Sequence, residues 1–145
     1  MIIKYKKLDK NAVMFKKQTD GSTGFDITTP ETVTIAPGEL VAVPTGIALD
    51  LTGLPSGVEL QIRPRSGLSS KGIIMLNAPG TIDRDYTGEI KVLMTNLTKE
   101  VYTIEAGSRV AQAVFAMYVP YLTAFPVEEL SKTERGAGGF GSTGV

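Results

Sequence analysis

The chain has 145 residues, a 42% hydrophobic fraction, and 15 acidic against 15 basic side chains. That length suits one domain around one core, and the neutral balance gives no overall field to draw in nucleic acid. With no Cys and no His, zinc sites of the Cys/His kind and histidine-activated nucleophiles are excluded, so acid–base work falls to Asp, Glu, Lys or Tyr, a carboxylate first.

The opening MIIKYKKLDK is basic and polar without the apolar stretch of a signal peptide, and no run approaches membrane-span length. The expected location is cytoplasmic, or the host-cell interior for a virus- or phage-encoded chain, with neither a membrane nor a nucleic-acid partner. Thereafter the pattern is mostly period two. LVAVPTGIALDL (40–51) reads as a strand, and GVELQIR (57–63) alternates Val58, Leu60 and Ile62 with Glu59, Gln61 and Arg63, as a half-buried strand does. SGLSSKG (66–72) has room for one helical turn. LNAPGTIDRDYTGEI (76–90) reads as strand, turn, strand, with Asp83 and Asp85 on one face of an extended chain and Tyr86 beside them. GEIKVLMTNL (88–97) and RVAQAVFAMYV (109–119) are further strands, the second carrying Arg109 and Gln112 as outward positions on an edge. VEELSKTE (127–134) offers a second short helix.

Turn clusters at TDGSTG, APGE, LPSG, NAPG, YTG and EAG separate these runs. The whole predicts an all-β, jelly-roll-like barrel or sandwich. Its core runs to about residue 125 and a charged linker to 134, so that 1–134 is core plus linker and 135–145 a flexible glycine-rich arm. The arm, RGAGGFGSTGV, has five glycines around one arginine, one phenylalanine, one serine and one threonine. It has too little apolar surface to fold alone, yet it carries a cation, an aromatic face and hydroxyls. In RPRSGLSSKG (63–72), two arginines leave a strand and meet Ser66-Gly67, a plausible phosphate cradle of backbone N–H groups and guanidinium. It is no P-loop, because GxxxxGK[ST] is absent.

TGFDITTP (23–30), RPRSGLSS (63–70), NAPGTIDRDYTGEI (77–90), GSRVAQAVF (107–115) and RGAGGFGSTG (135–144) together resemble the five ordered motifs of the homotrimeric dUTPases. They stand in family order and at family spacing over nearly the whole chain, with Ser108 where the fourth motif usually has aspartate. The resemblance implies a jelly-roll subunit in a homotrimer with three shared sites. The C-terminal arm of one chain closes over a site formed by the other two. It also implies hydrolysis of dUTP to dUMP and pyrophosphate with Mg²⁺, which keeps uracil out of DNA and supplies dUMP for dTTP synthesis.

By the same resemblance, Asp83 is the carboxylate that deprotonates the attacking water, and Tyr86 is the ring beneath the deoxyribose. Asn77 and the hairpin backbone after it read uracil. Arg65, Ser66, Gly67 and Gln112 contact phosphates, and Asp26 lies near the metal's water shell. In the arm, Arg135 reaches the γ-phosphate, Phe140 stacks on the base, Gly141 lets the backbone approach, and Ser142 and Thr143 add hydroxyl contacts. A dCTP deaminase of the same fold family is the nearest enzymatic rival, disfavoured by the DRDY stretch and the arm. A non-catalytic binding module is disfavoured by the retention of Asp83, Tyr86 and the arm.

Overall fold

A computed structural model of the chain describes residues 2–139. In chain order its elements are β1 (Lys4–Lys7), β2 (Phe25–Thr28), β3 (Val33–Ile35), β4 (Leu40–Asp50), β5 (Val58–Arg63), α1 (Ser66–Ser69), β6 (Ile73–Met75), β7 (Gly80–Ile82), β8 (Glu89–Asn96), β9 (Tyr102–Ile104) and β10 (Arg109–Met117). They form one four-stranded sheet in the order β1-β4-β8-β6, a second in the order β2-β10-β5-β7, and a two-stranded ribbon β3-β9. Every strand pairing within these sheets is antiparallel. The all-β expectation holds.

The period-two runs point as the sequence requires. Leu60 and Ile62 of β5 are buried while Arg63 is exposed, and Ile90, Val92 and Met94 of β8 are buried with Lys91 exposed between them. Both four-stranded sheets turn such faces into one shared core, which includes Ile27, Val43, Ile47, Leu60, Ile73, Val92 and Val110. The ribbon contributes Val33, Ile35 and Ile104. Truncating a fully buried Leu or Ile in such a core costs about 2–5 kcal/mol.

One irregularity fixes the start of β8. The register of β4 on β8 shifts between Pro44 and Ala48, since Pro44 lacks an N–H for the ladder. Side chains take over there: Thr45 Oγ1 donates to the Ile90 carbonyl at 2.7 Å, and the Gly46 N–H donates to Glu89 Oε1 at 2.9 Å. Gly46 has φ +65°, and a methyl on it would lie 2.8 Å from Ala12 Cβ and 2.9 Å from Asp9 Cβ, so only glycine fits.

Five expectations need correction. Residues 76–90 are not one hairpin: β6 pairs with β8, whereas β7 pairs with β5 in the other sheet, so NAPG is a crossing between sheets. Asp83 to Tyr86 is not extended but a turn, closed by the Tyr86 N–H on the Asp83 carbonyl at 3.1 Å. β10 is an interior strand between β2 and β5, not an edge. VEELSKTE forms no helix, whereas α1 occupies the first four residues of SGLSSKG. The last strand ends at Met117 and the Tyr118 N–H is tied to Gly57 at 2.8 Å. Tyr121, Leu122 and Phe125 are largely exposed, so packing stops short of residue 125.

Candidate active site

Two clefts collect the chemistry-bearing residues. The first, about 360 Å³, is lined by Gln18, Ser22, Thr23, Gly24, Asp26, Arg65, Ser66, Gly67, Arg109 and Gln112. Strand register builds it: Asp26 on β2 stands opposite Gln112 on β10, and Gln112 opposite Arg63 at the end of β5. The chain then leaves β5 through Pro64 into α1, which brings Arg65 back over the same corner.

Asp26, with its side chain 14% exposed, lies 3.3 Å from Arg65 Nε and accepts from Arg109 Nη1 at 3.1 Å. Arg65 Nη1 also donates to the Arg109 carbonyl at 3.1 Å. One carboxylate thus orients two guanidiniums, and the trio keeps one net positive charge for an anion. Gln112 Nε2 donates to the Pro64 carbonyl at 3.0 Å. Its amide lies so close over Gly24 that an added methyl would collide with Gln112 Oε1. The first helical N–H bonds of α1 come from Leu68 and Ser69, both to the Arg65 carbonyl at 3.1 Å. The N–H groups of Ser66 and Gly67 therefore have no acceptor within the helix.

This donor set bears on a metal. Among the described residues, Asp26 is the only carboxylate lining the cleft, and both its oxygens face guanidiniums. Among the described residues no cluster of three potential ligands exists. A divalent cation of the Mg²⁺ kind takes near-octahedral oxygen ligation and keeps several waters. The described residues therefore offer no cage of protein side chains for such an ion, and a metal here would have to bring most of its ligands with it.

The second cleft, about 500 Å³, is lined by Thr81, Ile82, Asp83, Tyr86, Glu89, Ile90 and Lys91. Asp83 follows β7 directly and is exposed. Tyr86 Oη donates to the Glu89 carbonyl at 2.8 Å, and its ring covers Gly88 so tightly that a methyl there would lie 2.6 Å from Oη. One tyrosine face is thereby fixed against backbone while the residue stays 45% exposed.

The two clefts share no residue. Ile82 pairs with Leu60, whereas Gln112, opposite Asp26, pairs with Arg63. Three residues along β5 and three strand spacings across the sheet put Ile82 and Asp26 roughly 17 Å apart, at ~3.3 Å per residue and ~4.8 Å per strand.

The family model described as dUTPase matches residues 10–144. The chain belongs to the dUTPase family. It is 52% identical over 145 residues to the deoxyuridine 5'-triphosphate nucleotidohydrolase of Nautilia profundicola, covering 99% of each chain. To the protein of the same name from Treponema denticola it is 46% identical, covering 97% of each. Among solved structures, it superposes on the Staphylococcus bacteriophage 80alpha dUTPase with dUPNHPP at a TM-score of 0.83, with 32% identity and 99% of each chain covered.

Against this family frame, Asp26, Arg65, Ser66, Gly67 and Gln112 come together in the first cleft, and Asp83 and Tyr86 in the second. Asn77 lines neither; its Nδ2 lies beside Gly80 in the crossing between sheets. Arg135 also lines neither, and its Nε donates to the Gly138 carbonyl at 2.8 Å within its own turn. Phe140, Gly141, Ser142 and Thr143 lie outside the described residues. Ser108 makes its contacts through backbone: its N–H donates to Glu105 at 3.0 Å and its carbonyl accepts from Thr29 at 3.1 Å. Sequence reasoning set Arg109 aside as an outward edge position and gave no individual role to Gln18, Ser22, Thr23 or Gly24. Arg109 is exposed at the start of β10, as an outward position should be, and the pairing of β10 with β2 brings it to Asp26.

Proposed function

We propose that this chain hydrolyses dUTP to dUMP and pyrophosphate as a homotrimer, keeping uracil out of DNA and supplying dUMP for dTTP synthesis. The observation that carries the reading is the separation of a cationic, phosphate-sized cleft from a carboxylate-and-tyrosine cleft on one chain. A triphosphate seated on Arg65 and Arg109 leaves its α-phosphorus beyond reach of the same chain's Asp83. A neighbouring copy has to supply Asp83 and Tyr86. Such sharing between copies can be built in a closed symmetric ring, and the three-copy ring is the one that the family resemblance implies. Three copies, each lending its arm from 135 onward to a site built by the other two, complete the arrangement.

In this site Arg65, Ser66, Gly67, Arg109 and Gln112 hold the phosphates, and Tyr86 packs under the deoxyribose with no room for a 2′-hydroxyl. Asn77 and the backbone after it read uracil. The Asp83 carboxylate takes a proton from water as the water oxygen bonds to the α-phosphorus. The bond from that phosphorus to the bridging oxygen breaks, and pyrophosphate leaves with its electron pair. Phosphoryl transfer asks mainly for positioning and charge stabilisation, which matches a protein without histidine. Mg²⁺ arriving with the triphosphate would supply further charge neutralisation, and Asp26 would be the residue to meet it, through water.

Mixing two impaired variants tests the shared site. Asp83→Asn, weakened in turnover, and Arg109→Ala, weakened in affinity, should together regain dUTP turnover at low substrate after joint refolding, because some mixed sites draw an intact half from each. The products should be dUMP and pyrophosphate, with UTP and dCTP left intact. No recovery in mixtures that light scattering shows to be trimeric would rule the shared site out.

A further inference from the structure

The turn that carries Asp83 and Tyr86 is poorly anchored by packing. From Asp83 to Thr87 every residue is exposed except Arg84. The Tyr86 hydroxyl bond goes only as far as Glu89. Among the described residues, the side-chain hydrogen bonds tying this turn to a distant part of the chain come from Arg84: its Nη2 donates to the Thr52 carbonyl at 3.1 Å and to the Leu54 carbonyl at 2.6 Å. Nη2 carries two protons, one for each carbonyl.

The receiving loop is tied to the core at both ends. Leu51 and Leu54 belong to the core, and the Leu54 N–H donates to the Leu51 carbonyl at 3.0 Å. Asp50 Oδ1 accepts from the Thr52 N–H at 3.1 Å and from its hydroxyl at 2.6 Å. Arg84 lines neither cleft, so its side chain points away from where substrate would sit.

We infer that Arg84 is a positioning residue for the reaction: it references the Asp83–Tyr86 turn to the core through the 52–54 carbonyls, and so sets the aim of the general base and the sugar-facing ring. The inference rests on the proposed roles of Asp83 and Tyr86. Its physical basis is the steep dependence of rate on geometry, in which a displacement of about 1 Å costs on the order of 10²-fold. A guanidinium suits the task because it stays charged and its donors are held in a planar fork.

The experiment compares Arg84→Ala, Arg84→Lys and Asp83→Asn with the wild-type trimer. Readouts are kcat and KM for dUTP, the dUTP/UTP ratio of kcat/KM, the Kd of a non-hydrolysable dUTP analogue, Tm and mass. Arg84→Ala should lower kcat by roughly 10–100-fold and lower the dUTP/UTP ratio, with analogue affinity within about 3-fold and Tm and mass unchanged. Arg84→Lys, which keeps a cation and donors but not the fork, should recover part of both. If Arg84→Ala fails to assemble, Arg84→Lys carries the test alone through the same split between kcat and analogue affinity. Unchanged kcat and selectivity beside an inactive Asp83→Asn, or losses that track Tm and mass, would overturn the inference alone. Full turnover by Asp83→Asn would overturn the reading beneath it and the inference with it.

Discussion

The polar groups of the two clefts are held differently. In the first, Asp26, Arg109 and Gln112 are set by register across β2, β10 and β5 and cross-linked with Arg65 and the Pro64 carbonyl, while the loop 18–24 and α1 close the rest. The Asp83 cleft is walled by residues of β7 and β8, but Asp83 and Tyr86 themselves stand on the turn between those strands, which is exposed from 83 to 87 but for Arg84. A triphosphate is large and highly charged, so a rigid cationic seat binds it through many contacts at once. A proton transfer depends on one carboxylate at one distance, and a turn can be aimed by a few ties without disturbing the sheets. Binding and chemistry should therefore separate on mutation: changes in the first cleft act on affinity, changes in the second on turnover.

The largest expected effect is on the chemical side. Asp83→Asn keeps the size of the side chain but, on the role proposed for Asp83, removes the base, so kcat should fall about 10²–10⁴-fold while the Kd of the non-hydrolysable analogue changes little. A large loss of analogue affinity with kcat retained would invert the comparison.

Next comes Gly24→Ala, aimed at the rigid side. The new methyl would lie 3.0 Å from Gln112 Cβ and collide with its amide oxygen. Gln112 must then turn away and give up its bond to the Pro64 carbonyl. Losing one charge-assisted contact to phosphate corresponds to about 1.5–3 kcal/mol, roughly 10- to 100-fold in analogue affinity measured by calorimetry. If binding stays intact while kcat alone falls, the cleft is not the phosphate seat.

These contrasts explain which parts were legible in the sequence. Leu60 and Ile62, or Ile90 and Val92, announce their faces locally, because alternation and burial have the same period. Short β6 and β7 do not: three residues each carry no period, and their sheet is decided by pairing with β8 and β5, partners distant in sequence or shared with other strands. Local reading thus turned a crossing between sheets into a hairpin. Arg109 was set aside because its strand read as an edge, and only the pairing of β10 on both sides corrects that. Asp83 and Tyr86 emerged from their motif, while the turn that presents them and the Arg84 tie were invisible, since Thr52 and Leu54 offer only backbone carbonyls, which leave no mark in side-chain identity.

A smaller effect is expected from Tyr86→Phe. It keeps the ring against Gly88 and removes only the donor to the Glu89 carbonyl at 2.8 Å. A neutral hydrogen bond contributes about 1 kcal/mol, so kcat/KM for dUTP should fall only several-fold, with the dUTP/UTP ratio reduced less than in Tyr86→Ala. Equal loss of selectivity in both variants would assign discrimination to the hydroxyl rather than the ring.

The smallest effect tests how deeply the turn's anchor is rooted. Asp50 carries a pKa lowered first by the Thr52 hydroxyl, then by the Thr52 N–H and nearby Lys4, against a desolvation effect in the opposite direction. A carboxylate held below its unfolded value contributes stability that is fully present above that value and lost as pH falls through the folded one. The ionised form, which holds Thr52, therefore prevails at neutral pH and is lost only on acidification below about pH 4, the ordinary carboxylate range. Asp50→Asn should lower Tm slightly at neutral pH, and the gap to wild type should close at the acid end. Because Thr52 and Leu54 receive Arg84, the variant should also show a small fall in kcat with analogue affinity unchanged, the same signature as Arg84→Ala in weaker form. A Tm gap that widens on acidification would reverse the sign of the Asp50 contribution. A loss of affinity with kcat intact would mean that the loop serves the phosphate cleft instead of the turn.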